Sequence, residues 1–163
     1  MKIYKTGIIG CGGIAQKMAA TLEKMKGVER YAVASRNQEK AEAFANKWEF
    51  TKAYGSYEEL ASDPEVDLIY IATPHAMHYD NAHMCIEKGK PVLCEKAFTA
   101  NARQAEDLLA FAKEKGVFIT EAIWTRYMPL SLKIQELLKE GVIGTPYTLS
   151  ANLSYPISNK ERI

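Results

Sequence analysis

Short apolar, β-branched runs alternate with stretches of helical period almost from the first residue of the 163-residue chain. The pattern predicts strands over residues 2–10, 29–35, 51–53, 66–73, 91–95 and 117–121. Within them apolar residues stand side by side, as in Leu68-Ile69-Tyr70-Ile71-Ala72. A strand with one wet face would alternate, so adjacency points to parallel strands covered on both faces. Helices are predicted between the strands. One covers 12–25 and stops before Gly27. A second covers 37–48, with Asn37 as N-cap and Ala41, Phe44, Ala45 and Trp48 on one face. A short helix opens on the capping-box spacing Ser56-Tyr57-Glu58-Glu59 and is bounded by Pro64. Two more cover 79–88, ending at Gly89, and 101–115, ending at Gly116 and burying Ala102, Ala105, Leu108, Leu109 and Ala112. Six strands separated by helices predict an α/β fold, a doubly wound parallel Rossmann sheet.

Beyond residue 121 the pattern changes. Ile123-Trp124-Thr125-Arg126-Tyr127-Met128 is aromatic, and 129–140 reads as an amphipathic helix burying Leu130, Ile134, Leu137 and Leu138. A turn over 141–146 leads to one further strand, 147–155. A lone strand is poorly stabilised. The expected organisation is therefore a domain over 1–122, and over 123–163 the opening of a second α/β domain that the chain does not complete.

Composition narrows the function classes. Twenty-one basic against 20 acidic residues leave a net charge of +1, with no basic stripe to favour nucleic acid. No apolar run approaches the roughly 20 residues that span a bilayer, and no signal-peptide core opens the chain, so no membrane partner is expected. Three cysteines, Cys11, Cys85 and Cys94, match no Cys-x-x-Cys spacing and suit a reducing, cytoplasmic location. Cys11 and Cys94 are read as a small loop residue and a buried strand thiol, not as nucleophiles.

The candidate chemistry begins where the first strand ends. Gly10-Cys11-Gly12-Gly13-Ile14-Ala15 has the form Gly-x-Gly-x-x-Ala between a predicted strand and a predicted helix. Gly10 would allow the turn, Gly12 the approach of a pyrophosphate, and Ala15 close packing of helix on strand, with the helix N-terminus donating N–H groups. The alternatives are a structural turn or another nucleotide-like ligand. An NAD site places Asp or Glu at the end of the second strand, whereas this chain has Ser35-Arg36. A hydroxyl and a guanidinium suit a 2′-phosphate, which favours NADP with NAD as the second choice; a solvated Arg36 is the alternative. The absence of an acid there also argues against a methyltransferase.

Taken together, Gly10–Ala15, Ala32-Val33-Ala34-Ser35-Arg36, Thr73-Pro74-His75 and Cys94-Glu95-Lys96-Ala97 resemble the Gfo/Idh/MocA oxidoreductases. Glu121-Ala122-Ile123-Trp124-Thr125-Arg126-Tyr127 is most similar to the NADP-linked branch that contains dimeric dihydrodiol and xylose dehydrogenases. The resemblance implies hydride transfer between a nicotinamide and a secondary alcohol such as a sugar or polyol, in a homo-oligomer. It also implies a larger C-terminal domain that carries much of the substrate pocket. A dinucleotide-binding module without catalysis is the alternative.

By this resemblance Lys96 is the catalytic or substrate-orienting residue, and Glu95 binds the cofactor ribose or positions the lysine. Thr73, Pro74 and His75 line the cofactor. His78 lies on the nicotinamide side, with a polar role at the start of a helix as its competitor. Trp124 and Arg126 cover the nicotinamide or meet the substrate, with interdomain packing as the other reading. The family usually has proline after the lysine, where this chain has Ala97, which restores a backbone donor and loosens φ. His75 and His78 share a His-x-x-His spacing, but no third ligand is evident and His83 falls inside the following helix, so no metal is expected.

Overall fold

The computed structural model describes residues 2–154. Six parallel strands form one sheet: β1 Tyr4–Ile9, β2 Val28–Ala34, β3 Lys52–Tyr54, β4 Leu68–Ile71, β5 Val92–Cys94 and β6 Ile119–Glu121, in the order β3-β2-β1-β4-β5-β6. The helices of this unit are α1 Gly13–Leu22, α2 Gln38–Trp48, α3 Tyr57–Ser62, α4 His78–Glu87 and α5 Ala102–Lys115. The chain winds outward from β1 in one direction and from β4 in the other. The strand order therefore reverses between β1 and β4, the switch point outside whose carboxyl ends folds of this class hold their ligands.

Adjacent apolar residues in the strands do face opposite ways. Ile9, Ala34, Ile69, Ile71, Val92 and Cys94 pack with Leu60 of α3, Cys85 and Ile86 of α4, and Leu108 and Ala112 of α5. Ile8, Val33, Tyr70 and Ala72 pack with Ala15, Ala19 and Leu22 of α1 and Phe44 and Ala45 of α2. The caps expected at Asn37 and Ser56 form, and Asn101 supplies a third. Asn37, Ser56 and Asn101 accept the backbone N–H of Lys40, Glu59 and Gln104, and Gly116 ends α5 in the left-handed region. Helix α1 stops at Leu22, short of the expected residue 25. Lys24 and Met25 bond three residues back, to Thr21 and Leu22, and tighten the end into turns. Leu109 points outward, because α5 offers the sheet a narrow stripe centred on Leu108 and Ala112.

The chain divides into two compact units, a first, Met1–Ile123, and a second, Trp124–Ile163. The second contains a 3-10 turn, Trp124–Tyr127, and α6, Pro129–Lys139, with proline in its first turn. Two expectations fail here. Leu130, Ile134, Leu137 and Leu138 are exposed rather than buried. The last three join Val142 and Ile143 around a space of about 180 Å³, and no second layer covers them within the described part of this unit. Nor is there a strand over the described residues of 147–155; Tyr147, Leu149 and Leu153 are exposed, and no edge of that unit offers a ladder. Tyr155 lies outside the described residues.

The amino-terminal edge of the sheet is closed by polar contacts. The buried Asp63 carboxylate accepts from Lys52 Nζ (2.9 Å), the Tyr54 hydroxyl (2.6 Å) and the Glu65 N–H (2.9 Å). Burial alone would raise its pKa, but these hydrogen bonds outweigh it and hold the carboxyl at about 2. Asp67 accepts from Lys2 Nζ and from the Lys5 N–H. Lys90 Nζ donates to the carbonyls of Asp63 and Val66. Replacing Asp63 by alanine strands the Tyr54 hydroxyl and the Glu65 amide, and is expected to cost about 2 kcal/mol. The folded-state pKa lies below the ordinary 3.8. The carboxylate therefore contributes fully above about pH 4 and loses its contribution as pH falls toward 2. Urea unfolding of wild type and Asp63→Ala at neutral and acid pH checks both statements, since the gap between the two proteins should narrow on acidification.

Candidate functional site

Because all six strands run the same way, the loops after β1, β2, β4, β5 and β6 leave the sheet at one edge. Those loops carry Gly10–Ala15, Ser35-Arg36, Thr73-Pro74-His75, Glu95-Lys96 and Glu121.

The loop after β1 comes close to β4. Gly10 N–H donates to the Ala34 carbonyl at 2.9 Å, and its φ of +99° is one that glycine tolerates. A Cβ on Gly10 would stand 2.9 Å from the Ala72 carbonyl oxygen. Gly12, the N-cap of α1, has no such neighbour; a Cβ on Gly12 or Gly13 would meet nothing within 4 Å. Helix α1 has no side-chain cap and no acid in its first turn, so its leading N–H groups and positive dipole face that open space. Ile14 is exposed while Ala15 is fully buried, bringing the helix start onto the sheet. Open space above two glycines beside an uncapped helix start fits a phosphate-bearing ligand.

At the end of β2, Ser35 is buried, its N–H bonded to the Tyr54 carbonyl and its Oγ 3.4 Å from the Asn37 N–H. Arg36 is exposed; burial raises the Tyr57 pKa, and the Arg36 charge opposes that rise. Burial also raises the Cys11 thiol, against the opposing charge of Lys40 and a hydrogen bond with Ser35. Lys40, in the first turn of α2, is thus a second cation whose charge is felt at Cys11. The sequence pattern had not singled it out, although it follows Arg36 by one helical turn.

After β4, Thr73 is buried and its hydroxyl accepts from Asn81 at 3.0 Å; Pro74 caps a 3-10 turn, and His75 is exposed. The ring of His78, at the start of α4, is fully buried, with Nδ1 2.7 Å from the Ala97 carbonyl and Nε2 2.9 Å from the Thr73 carbonyl. With both nitrogens engaged, it ties two loops together, which favours the polar role at the helix start. A neutral ring donates to one of those carbonyls and an imidazolium to both. His83 stacks on Phe111 at 4.1 Å, away from this edge.

After β5, Glu95 accepts from the buried Tyr70 hydroxyl and, through Oε2, from the Lys96 N–H at 3.2 Å. Burial, then the Glu95 carboxylate, drives the Tyr70 pKa upward, so the hydroxyl stays a donor. Lys96 is exposed, forms no ion pair among the described residues, and precedes Ala97 through a cis peptide. Phe98 N–H donates to Glu121 Oε1 at 3.0 Å. Trp124 and Arg126 belong to the second unit, in its exposed 3-10 turn.

Residues 4–122 match the model of an oxidoreductase family described by its NAD-binding Rossmann fold, GFO_IDH_MocA. The D-xylose 1-dehydrogenase (NADP(+)) of Hypocrea jecorina is 44% identical over an alignment covering 96% of this chain and 43% of that protein. The trans-1,2-dihydrobenzene-1,2-diol dehydrogenase of Mus musculus is 40% identical, covering 96% and 47%. Among solved structures, an NAD binding oxidoreductase from Klebsiella pneumoniae superposes with a TM-score of 0.84 at 33% identity, over 88% of this chain and 40% of that one. The chain thus spans less than half the length of these curated relatives.

The two glycines of the loop should respond differently to alanine. Gly10→Ala meets a backbone carbonyl and an unfavourable φ, and is expected to cost about 2 kcal/mol. Gly12→Ala, with open space and φ −85°, should change stability by under about 1 kcal/mol. Chemical denaturation of the two variants separates them.

Proposed function

The chain belongs to the Gfo/Idh/MocA oxidoreductase family, and on that premise we propose that it is the nucleotide-holding part of an NADP-dependent dehydrogenase acting on a secondary alcohol of sugar or polyol type. The observation that carries this reading is the open space over Gly12 and Gly13 at the uncapped, acid-free start of α1, at the point where the strand order reverses. In this reading, the N–H groups of Gly12, Gly13 and Ile14 take the pyrophosphate. Ser35, Arg36 and Lys40 take the 2′-phosphate, where a carboxylate would repel it. Thr73, Pro74 and His75 line the far side, and His78 holds the Thr73 loop to the Lys96 turn.

When bound, the cofactor supplies a nicotinamide that exchanges hydride with the alcohol carbon. Lys96 holds the substrate oxygen. In the reducing direction its ammonium donates to the carbonyl oxygen and hands it a proton; in the oxidising direction the free amine takes the alcohol proton. Glu95 fixes the backbone of Lys96, and Tyr70 fixes Glu95. A homo-oligomer in the cytoplasm completes the proposal, in keeping with three unpaired thiols. No helix among the described residues is long and apolar enough to cross a membrane.

Calorimetric titration with NADPH and NADH tests the reading. NADPH should bind at least about tenfold more tightly. Arg36→Ala should cost NADPH about tenfold and leave NADH within about twofold, as expected for loss of one charge-assisted contact. Gly12→Val should weaken both cofactors without lowering the unfolding midpoint. Binding of neither by the wild-type chain sinks the proposal, whereas binding without turnover makes the chain a dinucleotide-holding module.

A further inference from the structure

The turn Lys96-Ala97-Phe98 carries the lysine that the proposed function sets against the substrate oxygen, and its backbone is tied down at four points. Lys96 N–H donates to Glu95 Oε2 (3.2 Å), the Ala97 carbonyl meets His78 Nδ1 (2.7 Å), Phe98 N–H donates to Glu121 Oε1 (3.0 Å), and the Phe98 carbonyl accepts from Cys94 Sγ (3.7 Å). Glu95 and Cys94 belong to the same stretch of chain as the turn. Only His78, 19 residues away, and Glu121, 23 residues away, tie it to other elements.

Glu121 is itself fixed. It ends β6 directly opposite Cys94 in the ladder, and the following Ala122 N–H donates to the Cys94 carbonyl at 2.7 Å. Its carboxylate reaches from that fixed position to an amide two residues beyond Lys96. A charged acceptor on a backbone N–H makes a stronger and more directional contact than a neutral one. No part of the proposed function uses Glu121.

We propose that Glu121 is a positioning residue: by holding the Phe98 N–H it sets the turn from which Lys96 addresses the nicotinamide and substrate. The inference rests on the role proposed for Lys96. A displacement of about 1 Å at such a turn is enough to misplace a reacting group.

The experiment compares wild type, Glu121→Gln, Glu121→Ala and Lys96→Ala by three measurements on the full chain. These are amide hydrogen exchange at Phe98, NADPH affinity, and the emission of bound NADPH, which reports on the surroundings of the nicotinamide. Glu121→Ala should speed Phe98 exchange by about tenfold or more, as for loss of one hydrogen bond. It should leave NADPH affinity within about threefold, because the loop after β1 is untouched, and shift the bound emission to that of Lys96→Ala. Glu121→Gln, which keeps an acceptor oxygen, should restore both exchange and emission. Glu121→Asp, which keeps the charge and withdraws the oxygen by one methylene, replaces the alanine variant if that one does not fold. Wild-type emission in Glu121→Ala despite faster exchange would reduce Glu121 to a structural contact and overturn the proposal. Equal behaviour of the glutamine and alanine variants would overturn it too, since the acceptor would not be the agent. Failure of the wild-type chain to bind NADPH overturns the functional reading itself and the positioning role with it. That failure is recognisable because the exchange measurement needs no cofactor.

Discussion

Burial of the sheet on both faces is the constraint from which the rest of this structure follows. Parallel strands cannot be joined by hairpins, so each connection returns over a face, and helices cover both sides. Ile8 and Ile9, or Ile69, Tyr70 and Ile71, send successive side chains into opposite cores. No face is left for chemistry. The polar residues of the candidate site collect at the carboxyl edge, where the strand order reverses between β1 and β4.

That constraint is also why so much was legible in the sequence. Adjacent apolar residues in Leu68–Ile71 can only mean cover on both sides. Asn37 and Ser56 marked helix starts because a side-chain oxygen there meets a local need of the backbone. The Gly10–Ala15 spacing reports a close approach of loop to strand that the Ala72 carbonyl enforces. All of these are short-range or period-based signals.

Contacts between loops far apart in sequence were not legible. A histidine in His75-Ala76-Met77-His78 carries no mark that tells a ligand contact from a buried tie, and His78 becomes a tie only when the Thr73 and Ala97 carbonyls meet across it. Glu121 looked like the first letter of an aromatic motif until the β5–β6 register set it beside Phe98. For α6, periodicity named an apolar stripe correctly, but a stripe specifies only that something should cover it. The described residues of the second unit leave Leu130, Ile134, Leu137 and Leu138 exposed. The predicted strand after it failed for a related reason, since a strand exists only with a partner.

The two edges of the sheet divide stability from function in how their charges are spent. At the amino-terminal edge every prominent ion is answered: Asp63 by Lys52 and Tyr54, Asp67 by Lys2 and the Lys5 amide, Lys90 by two carbonyls. The Asp67 carboxyl is held below its ordinary pKa, first by the Lys2 hydrogen bond and then by the Lys5 amide. At the carboxyl edge the cations Arg36, Lys40 and Lys96 enter no ion pair among the described residues. The carboxylates that bond the Lys96 turn, those of Glu95 and Glu121, are turned onto backbone N–H groups instead. Had either carboxylate closed on Lys96, the ammonium would have a partner already and little to offer a substrate oxygen. By bonding the backbone on either side of Lys96, they hold the turn rigid and leave its charge unspent. That arrangement is wasteful for stability alone, and it leaves cations unpaired at the edge where the proposed function places the cofactor.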